Sequence, residues 1–274
     1  MFVEDPAVIV TDFDYDIVVI VSGPAGQSEA IQAAKLGRSV AVIERSTIGG
    51  MMVNSGTIPS KTLREAALYL TGYRQRDVYG QSYTLKQDIT MEDLLVRTKH
   101  VMQNETDVTR HQLMRNDVEI LNAEASFVSH NSLRLNFTSG GGSRDITSKY
   151  IVIATGTFAT HVEDIPFDGK RVFVSDDILK LDRLPKTLAV VGAGVVGLEY
   201  ASIFAALGVR VTLIDKTHSF LKFMDMEIVE AFIYHLRRNR VTLRLGEEVS
   251  GIEVFEGPDP EPVSYTHLRA HETR

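Results

Sequence analysis

The sequence predicts an α/β fold that contains two Rossmann-like dinucleotide-binding domains with parallel sheets. The main observation is a repeated pattern of strand, glycine-containing turn, helix and second strand that ends in an acid. In the first copy Glu44 follows Gly26 by eighteen residues, and in the second copy Asp215 follows Gly197 by eighteen. Strands joined through a crossover helix pair in parallel, so each copy predicts a βαβ unit with one nucleotide site.

The first copy is assigned from short segments of different character. Residues 16–21, DIVVIV, are a β-branched run typical of a strand buried on both faces. Residues 28–36 follow as an alanine-rich helix that stops at Gly37, and residues 39–44, SVAVIE, are the second strand. In such a unit the turn glycines allow a tight turn, close approach of a pyrophosphate and helix packing, while the acid accepts a hydrogen bond from a ribose.

The rest of the chain alternates between helical and strand patterns up to a second copy of the unit. A boundary is expected just after the strand at 150–155, which ends at Gly156. The other predicted elements are helices at 62–73, 91–116 and 175–181, strands within 118–137, and the second unit with strands at 188–191 and 210–215 around a helix that ends near 207.

Composition excludes several classes of function. The formal net charge of −7 over 274 residues and the absence of any basic run argue against nucleic acid and membrane surfaces as partners. No apolar stretch approaches the roughly 20 residues of a spanning helix, so a cytoplasmic location is expected. No metal site is predicted, because the one pair of histidines four residues apart, His267 and His271, lies in a C-terminal segment that is expected to be non-native.

A distinctive motif lies between the two copies. Residues 48–65 read IGGMMVNSGTIPSKTLRE, and with the two fingerprints they resemble the two-dinucleotide flavoproteins, the pyridine nucleotide-disulfide oxidoreductase family that includes lipoamide dehydrogenase and glutathione reductase. The resemblance runs from about residue 14 to 254. It implies FAD at the first site and NAD(P) at the second. The family's two redox cysteines correspond to Met52 and Thr57, and with no cysteine in the chain, redox-active disulfide chemistry is excluded.

Within the family, the form GTIPSK followed by TLREAALYLTG is similar to the soluble, Si-specific NAD(P)+ transhydrogenases. That similarity implies reversible hydride transfer from NADPH to NAD+ through FAD. Two alternatives stay open at this point. One is a flavoprotein NAD(P)H oxidase or diaphorase, and the other is an inactive nucleotide-binding fragment.

The resemblance also implies the residues of each site. Lys61, beside the flavin, and Glu199, its ion-pair partner at the nicotinamide pocket, are the expected catalytic residues. The expected FAD-binding residues are Ser22, Gly23, Pro24, Ala25, Gly26, Glu44, Arg45, Gly49, Gly50, Thr57, Lys61, Ala125, Thr155 and Gly156. The expected nicotinamide nucleotide-binding residues are Gly192, Gly194, Val195, Gly197, Glu199, Asp215 and Lys216.

Two residues of these sites bear on the affinity for FAD and on the preference between NAD and NADP. Val21 stands where the first fingerprint glycine is expected, and a β-branched residue reaches few of the backbone angles open to glycine. We hypothesise that about 1–3 kcal/mol of strain at Val21 weakens flavin retention. Asp215 would repel an NADP 2′-phosphate and Lys216 would offset that repulsion, so the preference between NAD and NADP stays open.

The domain organisation that follows has three parts. Residues 1–157 are expected to form an FAD-binding domain without its closing segment, and residues 158–262 a truncated NAD(P)-binding domain. Residues 263–274, after the proline-rich GPDPEP, are expected to be a non-native tail. The family's C-terminal dimerisation domain is missing, so the chain is interpreted as an N-terminal fragment of a homodimer or higher homo-oligomer.

Overall fold

The structure is a computed structural model that describes residues 13–80, 82–255 and 265–272, with only the backbone described for 255 and 265–272. Its helices are α1 (Pro24–Lys35), α2 (Gly50–Asn54), α3 (Thr57–Leu70), α4 (Arg76–Tyr79), α5 (Met91–Arg115), α6 (Val195–Ala206) and α7 (Met226–Arg238). Its strands are β1 (Tyr15–Ile20), β2 (Val40–Ile43), β3 (Glu119–Leu121), β4 (Ala123–Ser129), β5 (Ser132–Phe137), β6 (Ser143–Ile153), β7 (Thr187–Val191), β8 (Arg210–Asp215), β9 (Thr242–Leu245), β10 (Glu247–Phe255) and β11 (Tyr265–Glu272). Short 3-10 helices lie at Tyr73–Gln75 and Ser175–Lys180.

The chain divides into two compact units. Among the described residues, the first consists of residues 13–58 and 102–158, and the second of residues 59–101 and those from 159 onward. The predicted boundary after residue 157 lies next to the division after 158. Residues 59–101, however, were expected in the first domain and fall in the second unit. The reason is burial, because Leu63 and Leu94 belong to the same buried cluster as Phe204 of α6.

The first unit is built on one mixed sheet in the order β3-β2-β1-β6-β5-β4. β1 pairs in parallel with β2 and β6, and β2 pairs in parallel with β3, as the βαβ prediction requires. β4, β5 and the first part of β6 add an antiparallel extension. Val18 and Val19 of β1 are both fully buried, and they belong to the clusters on the two faces of the sheet. This burial on both faces is what the β-branched run predicted.

The first helix begins earlier than predicted because of its proline. α1 starts at Pro24, four residues before the predicted start at 28, with Gly23 as its N-cap. Proline suits the first helical position, since its fixed φ is helical and the missing N–H has no partner there in any helix. The helix ends before Gly37, whose φ is +74°.

The second unit contains the parallel sheet β7-β8-β9 and the helices packed on it. Its core is a single cluster centred on α6, where Ala201 and Phe204 are fully buried. β7 was predicted as a buried strand, but its residues alternate between exposed and half-buried and Val191 is 56% exposed. The difference arises because β7 is an edge strand of this sheet. The two parallel arrangements confirm the predicted α/β fold class.

The C-terminal segment was excluded from the predicted fold, but part of it is paired in the structure. β10 and β11 form a separate antiparallel pair that joins Glu247 to Glu272 at one end and Phe255 to Tyr265 at the other. The predicted tail at 263–274 therefore includes a strand, while residues 263, 264, 273 and 274 lie outside the described residues. That this segment is a non-native tail stays a prediction. Within the described residues, no helix is long and apolar enough to cross a membrane.

Candidate dinucleotide-binding sites

The first candidate site lies where three strands of the first unit end side by side. β1, β2 and β6 end at Ile20, Ile43 and Ile153, and both Ile43 and Ile153 are paired with Ile20. One residue after Ile20, the Val21 N–H donates to the Ile43 carbonyl oxygen at 2.8 Å. Ligands of open α/β sheets bind at the carboxyl ends of the strands. The turns that follow these three strands therefore form one candidate site.

The tight turn after β1 is made by a valine. Val21 has a φ of +80°, in the left-handed region that favours glycine. The turn has therefore not adapted to valine, and Val21 adopts the conformation that the fingerprint glycine would have. Gly26 closes the same turn, because a Cβ at that position would overlap the Val21 carbonyl oxygen. The helix can approach the strand only because residue 26 has no side chain.

The acid at the end of the second strand is held by serines. Glu44 is buried, and its Oε2 accepts hydrogen bonds from the Ser22 N–H at 3.0 Å and the Ser22 hydroxyl at 2.7 Å. Its Oε1 accepts from the Ser46 N–H at 3.0 Å and the Ser46 hydroxyl at 3.2 Å. The carboxylate is thus fixed from both sides at the point where a ribose was expected.

A second glycine turn contacts the first. Gly49 and Gly50 have φ values of +104° and +62°, and the Gly49 N–H donates to the Ser22 hydroxyl at 3.1 Å. A Cβ at Gly50 would lie 2.7 Å from the Gly23 Cα. α1 begins at this contact, and no side chain caps its N-terminus. Uncapped N–H groups at a helix start attract phosphate, so the two turns form a place that a pyrophosphate fits.

The other expected FAD residues have different surroundings. Pro24, Ala25, Thr57, Thr155 and Gly156 are exposed. Gly156 follows β6 with a φ of +65°, so it leaves the sheet in a conformation suited to glycine. Arg45 forms an exposed ion pair with Glu124 at 3.4 Å. Ala125 packs against the buried cluster of the sheet, so its side chain serves the core.

The second candidate site has the same backbone path with different side chains. Gly192 makes the tight turn with a φ of +106°, and its N–H donates to the Ile214 carbonyl oxygen at 2.8 Å. A Cβ at Gly197 would overlap the Gly192 carbonyl oxygen, as at Gly26 in the first unit. Around Gly194, the N-cap of α6, a Cβ would meet no atom within 4 Å. The space in front of this helix start is open.

The acid of the second site accepts from both flanking turns. Asp215 Oδ2 accepts from the Ala193 N–H at 2.6 Å, and Oδ1 accepts from the Thr217 N–H and hydroxyl at 2.8 and 2.6 Å. Partial burial alone would raise the pKa of Asp215, but the hydrogen bonds from Thr217 and Ala193 outweigh it and lower the pKa. Lys216 is exposed, and its positive charge lowers that pKa further.

The two expected catalytic residues are in contact within the second unit. Lys61 Nζ lies 2.5 Å from Glu199 Oε1, with the lysine side chain 57% and the glutamate side chain 18% exposed. Both line a shallow cavity of about 380 Å³. The other lining residues are apolar: Val195, Leu198, Leu221, Phe223, Met224 and Phe232. Burial raises the pKa of the neighbouring Tyr200 phenol to about 12, and the negative charge of Glu199 adds to this shift.

A family model decides the membership of the chain. The model of the pyridine nucleotide-disulphide oxidoreductases matches residues 15–265. The chain belongs to this family. The match includes both glycine turns, the 48–65 motif and the Lys61–Glu199 pair.

Several members of the family are close relatives of the chain. A soluble pyridine nucleotide transhydrogenase of Mycobacterium bovis is 52% identical over 242 residues, which cover 88% of this chain and 52% of that protein. A protein of the same name from Colwellia psychrerythraea is 38% identical over 245 residues, covering 89% of this chain and 52% of that protein. The chain thus spans about half the length of the curated relatives it matches.

A solved flavoprotein structure has the same fold. The HOCl-induced flavoprotein disulfide reductase from Escherichia coli superposes with a TM-score of 0.74 at 29% identity, covering 92% of this chain and 54% of that one. This likeness supports the predicted α/β architecture over nearly the whole chain.

The sequence did not identify two hydroxyl residues that hold the acids of the two sites. Ser46 follows Glu44 by two residues, and Thr217 follows Asp215 by two. In each case the N–H and the hydroxyl both donate to the carboxylate. A serine or threonine two residues after a strand-terminal acid is a turn-forming pattern, and its occurrence in both copies was a usable signal.

Proposed function

We propose that the chain is the nucleotide-binding part of a flavoprotein oxidoreductase that holds FAD at the first site and a nicotinamide nucleotide at the second. We further propose that it transfers hydride reversibly between NADPH and NAD+ without a redox-active disulfide. The observation that carries the proposal is the Lys61–Glu199 pair in an apolar cavity, where Lys61 lies on α3 and Glu199 on α6, the helix that starts at the second glycine turn. The names of the two transhydrogenase relatives support the same reaction.

The residues of the first unit fit a dinucleotide such as FAD. Gly26 lets α1 approach β1, and Gly23 and Gly50 let the two turns meet beside the uncapped start of α1, where a pyrophosphate would lie. Glu44 presents a carboxylate to a ribose next to that start. Arg45, Thr155 and Gly156 follow the same strand ends and would contact the rest of the cofactor.

The second unit supplies a charged pair beside an apolar surface. FAD, when bound, supplies a ring that accepts and returns hydride. The Lys61 ammonium places a positive charge at the edge of the cavity, and Glu199 fixes its position by the ion pair. A positive charge held in one place stabilises negative charge that develops near it. The apolar side chains of Val195 and Leu198 would exclude water from a nicotinamide ring.

The absence of cysteine favours a nicotinamide as the final electron acceptor. The chain contains no cysteine, and Met52 and Thr57 occupy the positions of the family's redox pair. Electrons delivered to the flavin then leave to a second nicotinamide nucleotide, a small acceptor or dioxygen. The same proposal has three further parts. The full-length protein is cytoplasmic, it is a homo-oligomer, and its second site binds both NAD and NADP.

The direct test is a spectrum followed by a transfer assay. A visible flavin spectrum of the purified chain, with reduction of a thio-analogue of NAD+ by NADPH under exclusion of oxygen, would support the proposal, and the full-length protein is expected to show both. Lys61→Met is expected to lower the transfer rate about a hundredfold, because a fixed charge near the reacting centre is lost. Rapid oxygen consumption with NADH alone would instead support an oxidase, and a colourless chain would support an inactive fragment.

A second lysine provides the matched control. Lys180 forms an ion pair with Asp177 at 2.9 Å in the same unit and lies outside the cavity. Lys180→Met should leave the transfer rate within about twofold of the parent, since an exposed ion pair contributes little. Equal losses in the two variants would show that Lys61 has no special role and would contradict the proposed site.

A further inference from the structure

The four hydrogen bonds to Glu44 leave no acceptor position for a ligand. A carboxylate has two oxygens with about four lone-pair positions in all. Ser22 supplies two donors to Oε2, and Ser46 supplies two donors to Oε1. A ribose hydroxyl can therefore donate to Glu44 only after one of these four donors has left.

Three of the four donors are held in place. The two N–H groups belong to the backbone of the turns and cannot rotate away. The Ser22 hydroxyl is fully buried, donates to Glu44 at 2.7 Å and accepts from the Gly49 N–H at 3.1 Å. Removing it would leave the Gly49 N–H without that partner inside the protein, which is costly.

The Ser46 hydroxyl is the donor that can leave. Ser46 is exposed, and its hydroxyl makes the longest of the four bonds, at 3.2 Å. Rotation about χ1 would move this hydroxyl into water, where it regains a hydrogen bond. The Ser46 N–H would stay on Oε1, so Glu44 would keep its position and gain one vacant acceptor.

We propose that the Ser46 hydroxyl competes with the ribose hydroxyls of FAD for Glu44 and thereby sets the affinity of the first site. This inference rests on the proposed function, because it assumes that FAD binds at the first site. Ser46 acts through Glu44 and is a positioning residue. The second site differs, since Asp215 accepts from three donors among the described residues and Oδ2 accepts only from Ala193.

The competition predicts a gain of affinity when the hydroxyl is removed. The dissociation constant of FAD, measured by equilibrium dialysis on the apo chain, is expected to fall about threefold to tenfold in Ser46→Ala, because one hydrogen bond to a charged acceptor no longer has to be exchanged. ADP, which carries the same ribose without the flavin, should gain by the same factor. A purely structural role for Ser46 would weaken binding, so the sign of the change separates the two explanations.

Two variants control the measurement. Ser46→Thr keeps the hydroxyl and should return the affinity to the parental value. Thr47→Ala removes an adjacent exposed hydroxyl that is not among the four donors to Glu44 and should leave the affinity unchanged. Parental or weaker binding in Ser46→Ala, with FAD bound by the parent chain, would overturn this inference alone. A parent chain that binds no FAD would overturn the proposed function as well.

Discussion

The two glycine turns of this protein follow the same backbone path, yet only one of them has glycine at the tight position. Val21 and Gly192 have φ values of +80° and +106°, and each is followed five residues later by a glycine whose Cβ would overlap its carbonyl oxygen. The conformation is thus imposed by the fold, because strand pairing on one side and helix packing on the other leave the turn no alternative. Val21 adopts the left-handed conformation although it has a Cβ. The hydrogen bonds around the turn therefore hold it against the strain.

The turns also differ in how they hold their acids. In the first unit the buried Glu44 is fixed by two serines, and one of these serines connects it to a second glycine turn. In the second unit the half-buried Asp215 is fixed by one threonine and one N–H. The first turn is therefore more tightly bonded and more strained, while the second is more open. Each prediction below tests one part of this difference.

The largest effect is expected at the feature that both turns share, the glycine that lets the helix pack against the turn. Gly197→Ala should destabilise the second unit by about 3 kcal/mol, because its Cβ would overlap a backbone carbonyl that cannot move. The matched control is Gly194→Ala, where the φ of −73° is ordinary and no atom lies within 4 Å of the new Cβ. Thermal unfolding would measure the loss, and amide hydrogen exchange in α6 would localise it.

The control also separates stability from binding. Gly194→Ala should leave the unfolding midpoint nearly unchanged but weaken binding of a nicotinamide nucleotide, since the added methyl group lies where the phosphates approach the helix start. Similar unfolding midpoints for the two variants would show that close packing at Gly197 is not needed. In that case the two turns would not share the requirement for a glycine at the point where the helix packs against the turn.

A reciprocal exchange at the tight position measures the strain directly. Gly192→Val should cost about 1–3 kcal/mol of stability, because φ is unfavourable for valine although no atom within 4 Å opposes the Cβ. Val21→Gly should stabilise the first unit by a smaller amount, about 1 kcal/mol, since relief of strain is partly offset by the greater freedom of glycine in the unfolded chain. Urea unfolding of the apo proteins would give both values.

The same exchange tests the effect of Val21 on the cofactor. If strain weakens flavin retention, the Val21→Gly chain should retain more FAD than the parent after gel filtration. Equal FAD content in the two proteins would refute that hypothesis and leave the strain as a matter of stability alone.

The sequence predicted the fold well where local patterns decide it, and less well where packing decides it. The β-branched run before Val21 and the eighteen-residue spacing to Glu44 were enough to predict a parallel βαβ unit. The assignment of residues 59–101 was not predictable in this way, because the periodicity of a helix shows which face is apolar but not which core that face joins. Leu63 and Leu94 pack in the cluster of the second unit.

The candidate sites show the same limit. Glu44, Asp215 and the turn glycines were predicted from spacing, because strand ends and turns fix their place. The contact of Lys61 with Glu199 followed from resemblance, since the two residues are 138 positions apart. The occupation of Glu44 by Ser46 depends on side-chain rotamers in a loop, and no periodic pattern encodes these.

The smallest expected effect concerns the pH dependence of the more open turn. Hydrogen bonds from Thr217 and Ala193 hold the pKa of Asp215 below its usual value. A carboxylate with a depressed pKa in the folded state contributes stability above its unfolded pKa of about 3.9, and that stability is lost as the pH falls through the folded pKa. The parent should therefore lose stability below about pH 4 that Asp215→Asn does not lose, with a difference on the order of 1 kcal/mol.

Urea midpoints at several pH values between neutral and acid would show this difference, with Asp182→Asn as the control for an exposed acid in the same unit. That control should follow the parent, because its carboxylate is not part of the turn. If Asp215→Asn also followed the parent through the acid range, the ionised carboxylate would not stabilise the second turn. The contrast with the first turn would then reduce to the strain at Val21.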